Sequence, residues 1–380
     1  MSVVLEGIFY LSIGDLCFLR ATAIVFSLTV KRRFFYLVRW CTILKQRKTD
    51  SLIFWILGIG LVASVILSIC LGRYPMGIRE LVGILWSKVG AIKPFWTPVQ
   101  EALLLQHRLP RVLLAVLVGC SLAGAGASYQ AVFQNPMAAP DLLGASGGAA
   151  FGAALGILLR LGSTMVMVLA FVCSLLTVGI VILIGSRTRG KRVVGLILAG
   201  IMVSSLVSSG TSFIKLVADP ADQLPAITYW LLGSLNGATT GDLLFALIPM
   251  ALGLIPLILL RWRIHVLTMG DDEACTMGIH SSRLRLVAIL CATLLTAASV
   301  AVSGVIGWVG LVVPHLCRKI VGDKFSRLLP ASVFLGGIFL LLVDDISRNL
   351  LATEIPIGIL TGFLGAPFFL YLITKDGERH

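Results

Sequence analysis

Apolar residues in this chain gather into long runs separated by short polar clusters. A hydrocarbon layer about 30 Å thick takes about 20 helical residues to cross, because only closed backbone hydrogen bonding survives in lipid. Ten runs meet that demand or come close: 52–71, 111–133, 142–159, 164–185, 193–217, 242–260, 284–302, 305–320, 328–351 and 357–374, of which the eighth is short. The pattern predicts an all-α, polytopic membrane protein with about ten transmembrane helices. The stretch 73–107, with Pro75, Pro94, Trp96 and Pro98 among mixed charges, reads as an external segment with a short helix around 78–86.

Basic residues orient the set. Arg187, Arg189, Lys191 and Arg192 follow the fourth run, Arg261 and Arg263 the sixth, and Arg318, Lys319, Lys324 and Arg327 the eighth, so these three loops are expected in the cytoplasm. Ten crossings then place the tail with Lys375 and Arg379 on the side where Lys45, Arg47 and Lys48 precede the first run. Composition agrees: 58% of residues are hydrophobic and 13% charged, too apolar for a water-soluble globule. The net charge of +13 is spread over these loop clusters, which argues against nucleic-acid binding. Eight cysteines include no CxxC pair and lie mostly in apolar runs, where a thiol acts as a small hydrophobe. Residues 1–50 form an N-terminal extension: 3–30 is apolar but broken by Glu6, Asp15 and Arg20, without the basic start and small-residue cleavage site of a signal peptide. Residues 51–375 form the membrane domain and 376–380 a cytoplasmic tail. A faint echo links Leu142-Leu143-Gly144-Ala145-Ser146 with Leu328-Leu329-Pro330-Ala331-Ser332.

Several constellations stand out. Arg108-Leu109-Pro110-Arg111 enters the second run, which leaves through the tight turn Gln134-Asn135-Pro136-Met137-Ala138-Ala139-Pro140. After the sixth run, Gly270-Asp271-Asp272-Glu273-Ala274-Cys275-Thr276-Met277-Gly278 reads as a short helix bounded by glycines, with acids in its first turn where the helix dipole favours them. Gly304, Gly307, Gly310 and Pro314 surround the eighth run's start and point to a broken or tightly packed helix pair, with His315 a packing histidine. Ser204, Ser208 and Ser212 share a helix face at i, i+4 spacing; such a stripe lines a hydrated path or permits close packing. On the ninth run Asp344, Asp345 and Arg348 are costly in a membrane unless paired, and Asp344 and Arg348 are four apart.

These motifs, in this order from about residue 51 to 375, resemble the permease subunits of binding-protein-dependent ABC importers for iron-siderophores, haem and vitamin B12, the FecCD type. The resemblance implies a type II importer permease fold, acting as a homodimer with two cytoplasmic ATPases and an extracytoplasmic substrate-binding protein in a prokaryotic cytoplasmic membrane. It implies that Gly270, Asp272, Glu273, Ala274 and Gly278 form the coupling element seated in an ATPase cleft; family members commonly have Arg where this chain has Cys275. It likens Asn135 and Met137 to the cytoplasmic gate loop, with Val193 and Val194 standing where some relatives have small hydroxylated residues. It assigns Arg108, Arg111 and Arg348 to docking of the binding protein's acidic residues; the other reading has Arg348 neutralising Asp344 and the first two anchoring at headgroups.

The chain has no Gly-x-x-x-x-Gly-Lys-Ser/Thr, so ATP and Mg belong on partner ATPases and the chain itself carries no cofactor, no metal and no catalytic residue. An ion-coupled secondary transporter, using Asp344, Asp345 and His315, is the alternative. A membrane hydrolase lacks its motif, since no HExxH occurs. Which of ferric siderophore, haem, cobalamin or an oxyanion is carried is not written in the permease.

Overall fold

The computed structural model describes residues 51–72, 74, 76–88, 90, 94–188 and 192–377. The extension 1–50, with Lys45, Arg47 and Lys48, and the orienting residues Arg189, Lys191 and Arg379 lie outside them. The chain divides into two compact units, Met1–Ile56 and Leu57–His380. Of the first, only residues 51–56 are described, and they are helical.

Every regular element among the described residues is a helix. In chain order these are α1 (Ser51–Cys70), α2 (Ile78–Ser87), α3 (Pro98–Val132), α4 (Ala145–Leu158), α5 (Ser163–Arg187), α6 (Arg192–Val217), α7 (Gln223–Leu231), α8 (Thr240–Leu259), α9 (Arg261–Leu267), α10 (Asp271–Thr276), α11 (Ser281–Ser303), α12 (Val309–Val321), α13 (Phe325–Asn349) and α14 (Ile357–Gly377). Seven of them, α1, α3, α5, α6, α8, α11 and α13, are long and apolar enough to cross a membrane. Helices α4, α12 and α14 fall where the other three runs lie. The helix expected around 78–86 is α2, while α7 and α9 were not legible as separate helices.

Where the expected bounds fail, the backbone explains it. Helix α3 begins at Pro98, well before Arg111, because Thr97 and Gln100 form a capping box and a π-helical turn at Leu103–Arg108 carries the helix onward without a break. Helix α4 starts at Ala145 because Pro140–Leu143 is a 3-10 turn and Gly144 is left-handed; its 14 residues span only ~21 Å. Helix α12, in the eighth run, starts at Val309, not 305, since Gly304 (φ 67°) and Trp308 (φ 69°) hold the intervening chain out of helix. The echo between 142–146 and 328–332 has no structural counterpart: the first is this turn, the second lies inside α13.

From Leu109 to Val132, α3 is the most enclosed helix, packed against α13, α11, α12 and α8. Small residues set the approach. A β-carbon at Gly119 would lie 2.3 Å from the Gly336 carbonyl of α13, and one at Gly126 would lie 1.8 Å from that of Gly310 on α12. Backbones in contact replace the side-chain core that a soluble bundle would use. The irregular ends brace one another: Ser234 N–H donates to Ser303 O at 2.8 Å, and Ile357 N–H to Gly233 O at 2.8 Å. Backbone left outside the helices is thus paired within the protein.

Candidate functional site

Helix α3 links two clusters, one at each end. At its start, Arg108, Arg111 and Arg348 come together as their sequence positions imply, but they point inward, with only 6%, 9% and 8% of their surfaces exposed. Arg108 Nη1 donates to Ile69 O at 2.7 Å, and Nη2 to Tyr74 O. Arg111 grips two carboxylates: Nη2 lies 2.9 Å from Asp344 Oδ1, and Nη1 and Nη2 lie 2.9 and 3.0 Å from the two oxygens of Glu354. Arg348 Nε forms an ion pair with Asp344 Oδ2 at 3.1 Å, while its Nη2 donates to Ser68 Oγ at 2.8 Å and to Asp345. Ser68 Oγ in turn donates to Asp345 Oδ1 at 2.7 Å.

The three side chains are engaged by chain carbonyls and by Asp344, Asp345 and Glu354, and the Arg348–Asp344 pair of the second sequence reading is present. The physical reason is cost. Fully buried Asp344 needs more than its i+4 arginine, and Arg111 supplies the second bond. Ser68 and Glu354 were missed in the sequence because each is a lone polar residue whose partner lies hundreds of positions away.

At the other end of α3 lie the acidic helix and the turn. Gly270 (φ 145°) swings the chain from α9 into α10, and a β-carbon there would meet Glu273 Oε2 at 2.1 Å. At the far end Gly278 (φ 75°) is left-handed, with Ile279 N–H donating to Ala274 O and Gly278 N–H to Cys275 O, both at 2.9 Å. This is a Schellman closure, and it accounts for Gly278. Ala274 is fully buried and seats the helix, whereas Asp272, Glu273, Cys275 and Met277 are exposed. Asp271 is set apart from the other acids, since both Arg285 Nη atoms bind it, at 2.9 and 3.3 Å. Beneath, burial and then the nearby Lys324 charge hold the His265 imidazole below its ordinary pKa.

The loop 134–139 adjoins this element. Asn135 and Met137 are exposed, and Asn135 Oδ1 accepts from Met137 N–H at 2.8 Å. The bond fixes an Asx turn at the tip. Gln134 Nε2 donates to Leu267 O of α9 at 2.9 Å, so turn and acidic helix share one end of the bundle. Val194 is half exposed and Val193 partly so at the start of α6. The serine stripe divides: Ser208 and Ser212 are exposed beside Leu206, Phe213 and Leu216, but the Ser204 hydroxyl is buried against Gly144. Ser212 Oγ donates to Ser208 O at 3.0 Å.

Among the described residues no group of three or more His, Cys, Asp or Glu could hold a metal ion. The model of the FecCD transport family matches residues 60–375. The chain is 36% identical over 315 residues to the molybdate import system permease protein of Haemophilus influenzae, covering 83% of this chain and 93% of that one. It is 41% identical over 273 residues to an iron chelatin transport system permease protein of Helicobacter pylori, covering 72% and 82%. A solved metal-chelate type ABC transporter in an inward-facing conformation superposes with TM-score 0.77 at 35% identity, covering 85% of this chain and 99% of the other.

Proposed function

This chain belongs to the FecCD transport family, and from that premise we propose that two copies of it form the membrane pathway for an iron-chelate, haem or cobalamin-type ligand delivered by an external binding protein. It is a multi-pass membrane permease of a prokaryotic ABC importer with the type II permease fold, and it is not itself an enzyme. ATPase and binding-protein partners follow from that class. The finer assignments are the proposal: ATP and Mg are handled by two cytoplasmic ATPases, the C-terminus and the acidic helix face the cytoplasm, and the Arg111 end faces outward.

The observation that carries this reading is the acidic helix itself. Gly270, Ala274 and Gly278 hold it rigid and seated, while Asp272 and Glu273 stand free for a partner. Asn135 and Met137, beside it, form the cytoplasmic gate with Val193 and Val194, and Ser208 and Ser212 line the path. Arg108, Arg111 and Arg348 serve docking indirectly, by fixing the outer rim around Glu354 on which a binding protein would settle. The ion-coupled alternative loses ground because Asp344 and Asp345 are both held by arginines.

Uptake into reconstituted vesicles tests the proposal. Transport of a radioiron-labelled chelate should require ATP on the ATPase side and survive collapse of the proton gradient. Uptake driven by the gradient without ATP would overturn it. Titrating the cognate binding protein with ferric chelate, haem, cobalamin and molybdate identifies the cargo, and retention of molybdate alone would move the ligand class to the oxyanions.

A further inference from the structure

Gln134 combines two features that a simple turn does not need. Its φ is +50°, a region in which a side chain is disfavoured and in which glycine or asparagine commonly closes a helix. The closure is present: Gln134 N–H donates to Ala131 O at 3.3 Å and Asn135 N–H to Gln130 O at 3.1 Å. Glycine would serve that backbone with less strain. What glutamine adds is its side-chain amide, whose Nε2 reaches Leu267 O at 2.9 Å across 133 positions of sequence.

Leu267 is the last residue of α9, fully buried, three positions before Gly270. Carbonyls in the last turn of a helix have no donor within it. Gln134 supplies one here, and the next residue in its own chain is Asn135, which builds the loop tip through its bond to Met137 N–H. One side chain thus ties the base of the acidic helix to the base of the exposed loop.

We propose that Gln134 is a positioning residue that transmits displacement of α9 and α10 to the loop 134–139, so that movement of the acidic helix opens or closes the gate. This rests on the reading of α10 as the ATPase contact and of the loop as the gate. Donation to Leu267 O is the working property, and the positive φ is tolerated to place it.

The test needs no cargo. In the ATPase complex, depleted of native cysteines and carrying Met137→Cys, the rate of modification by a methanethiosulfonate reagent is measured before and after trapping with ATP and vanadate. With Gln134 present, trapping should change the rate at least fivefold. Gln134→Gly, which relieves the backbone, and Gln134→Leu, which keeps bulk without a donor, should reduce that change to less than twofold while ATP hydrolysis continues. Gln134→Lys, able to donate to the same carbonyl, should restore it. A full response in Gln134→Gly, or a Gln134→Lys variant as unresponsive as Gln134→Leu, would overturn the link. No response even with Gln134 in place would overturn the gate reading beneath it as well, a result distinguishable from the first because the parent chain itself fails.

Discussion

The two ends of helix α3 use charge in opposite ways. At the Arg111 end, Arg111 and Arg348 close on three carboxylates largely out of solvent while Arg108 is held by backbone carbonyls, whereas at the Gln134 end Asp272 and Glu273 stand exposed on a helix held by glycines and a buried alanine. Enclosed charge fixes geometry, because desolvated ions demand partners, while exposed charge costs the fold little and is available to another molecule. Within α10 Asp271, itself half exposed, is bound by the buried Arg285, while Asp272 and Glu273 are not.

Substitutions should separate the two kinds of charge. The largest effect is expected at Asp344: Asp344→Ala leaves Arg111 and Arg348 without their shared partner and should cost about 3–5 kcal/mol, seen as a collapse of folded yield and melting temperature in detergent. Arg111→Glu, which sets a carboxylate against Asp344 and Glu354, should behave alike. If it folded normally and only slowed association of the binding protein, Arg111 would belong to an open docking surface after all. Next, Asp271→Ala strips the carboxylate from Arg285, whose side chain is 5% exposed, and should destabilise by about 1–3 kcal/mol with ATPase binding reduced only in proportion to lost fold.

The smallest effect is at His265. Its lowered pKa means that the unfolded chain binds the proton more readily, so His265 detracts from stability as pH falls below its ordinary value of about 6.5 and contributes nothing above it. His265→Gln should flatten the acid side of the melting-temperature profile and leave the neutral side unchanged.

Much of this was legible in the sequence. Apolar run length located ten of the fourteen helices, and Gly270 and Gly278 marked the start and end of α10 because both hold a positive φ that favours glycine. Gln134 and Glu354 were not legible, since their meaning lies in bonds to Leu267 and Arg111 that no local pattern encodes. Of the arginine contacts, only the Asp344–Arg348 pair was legible, from its i, i+4 spacing; the fold alone brings Ile69 and Tyr74 to Arg108, and Asp344 and Glu354 to Arg111. The serine face divides, because the i, i+4 rule groups Ser204 with Ser208 but cannot tell that Gly144 covers the first.

The most direct measurement of the central claim is copurification of the ATPase with the Asp272→Lys, Glu273→Lys permease. Both side chains are solvent-exposed, so stability should change by no more than about 0.5 kcal/mol. Loss of the ATPase from a permease that keeps its parent melting temperature is the predicted result. Full ATPase retention with normal transport would contradict the account and leave α10 an ordinary capped loop.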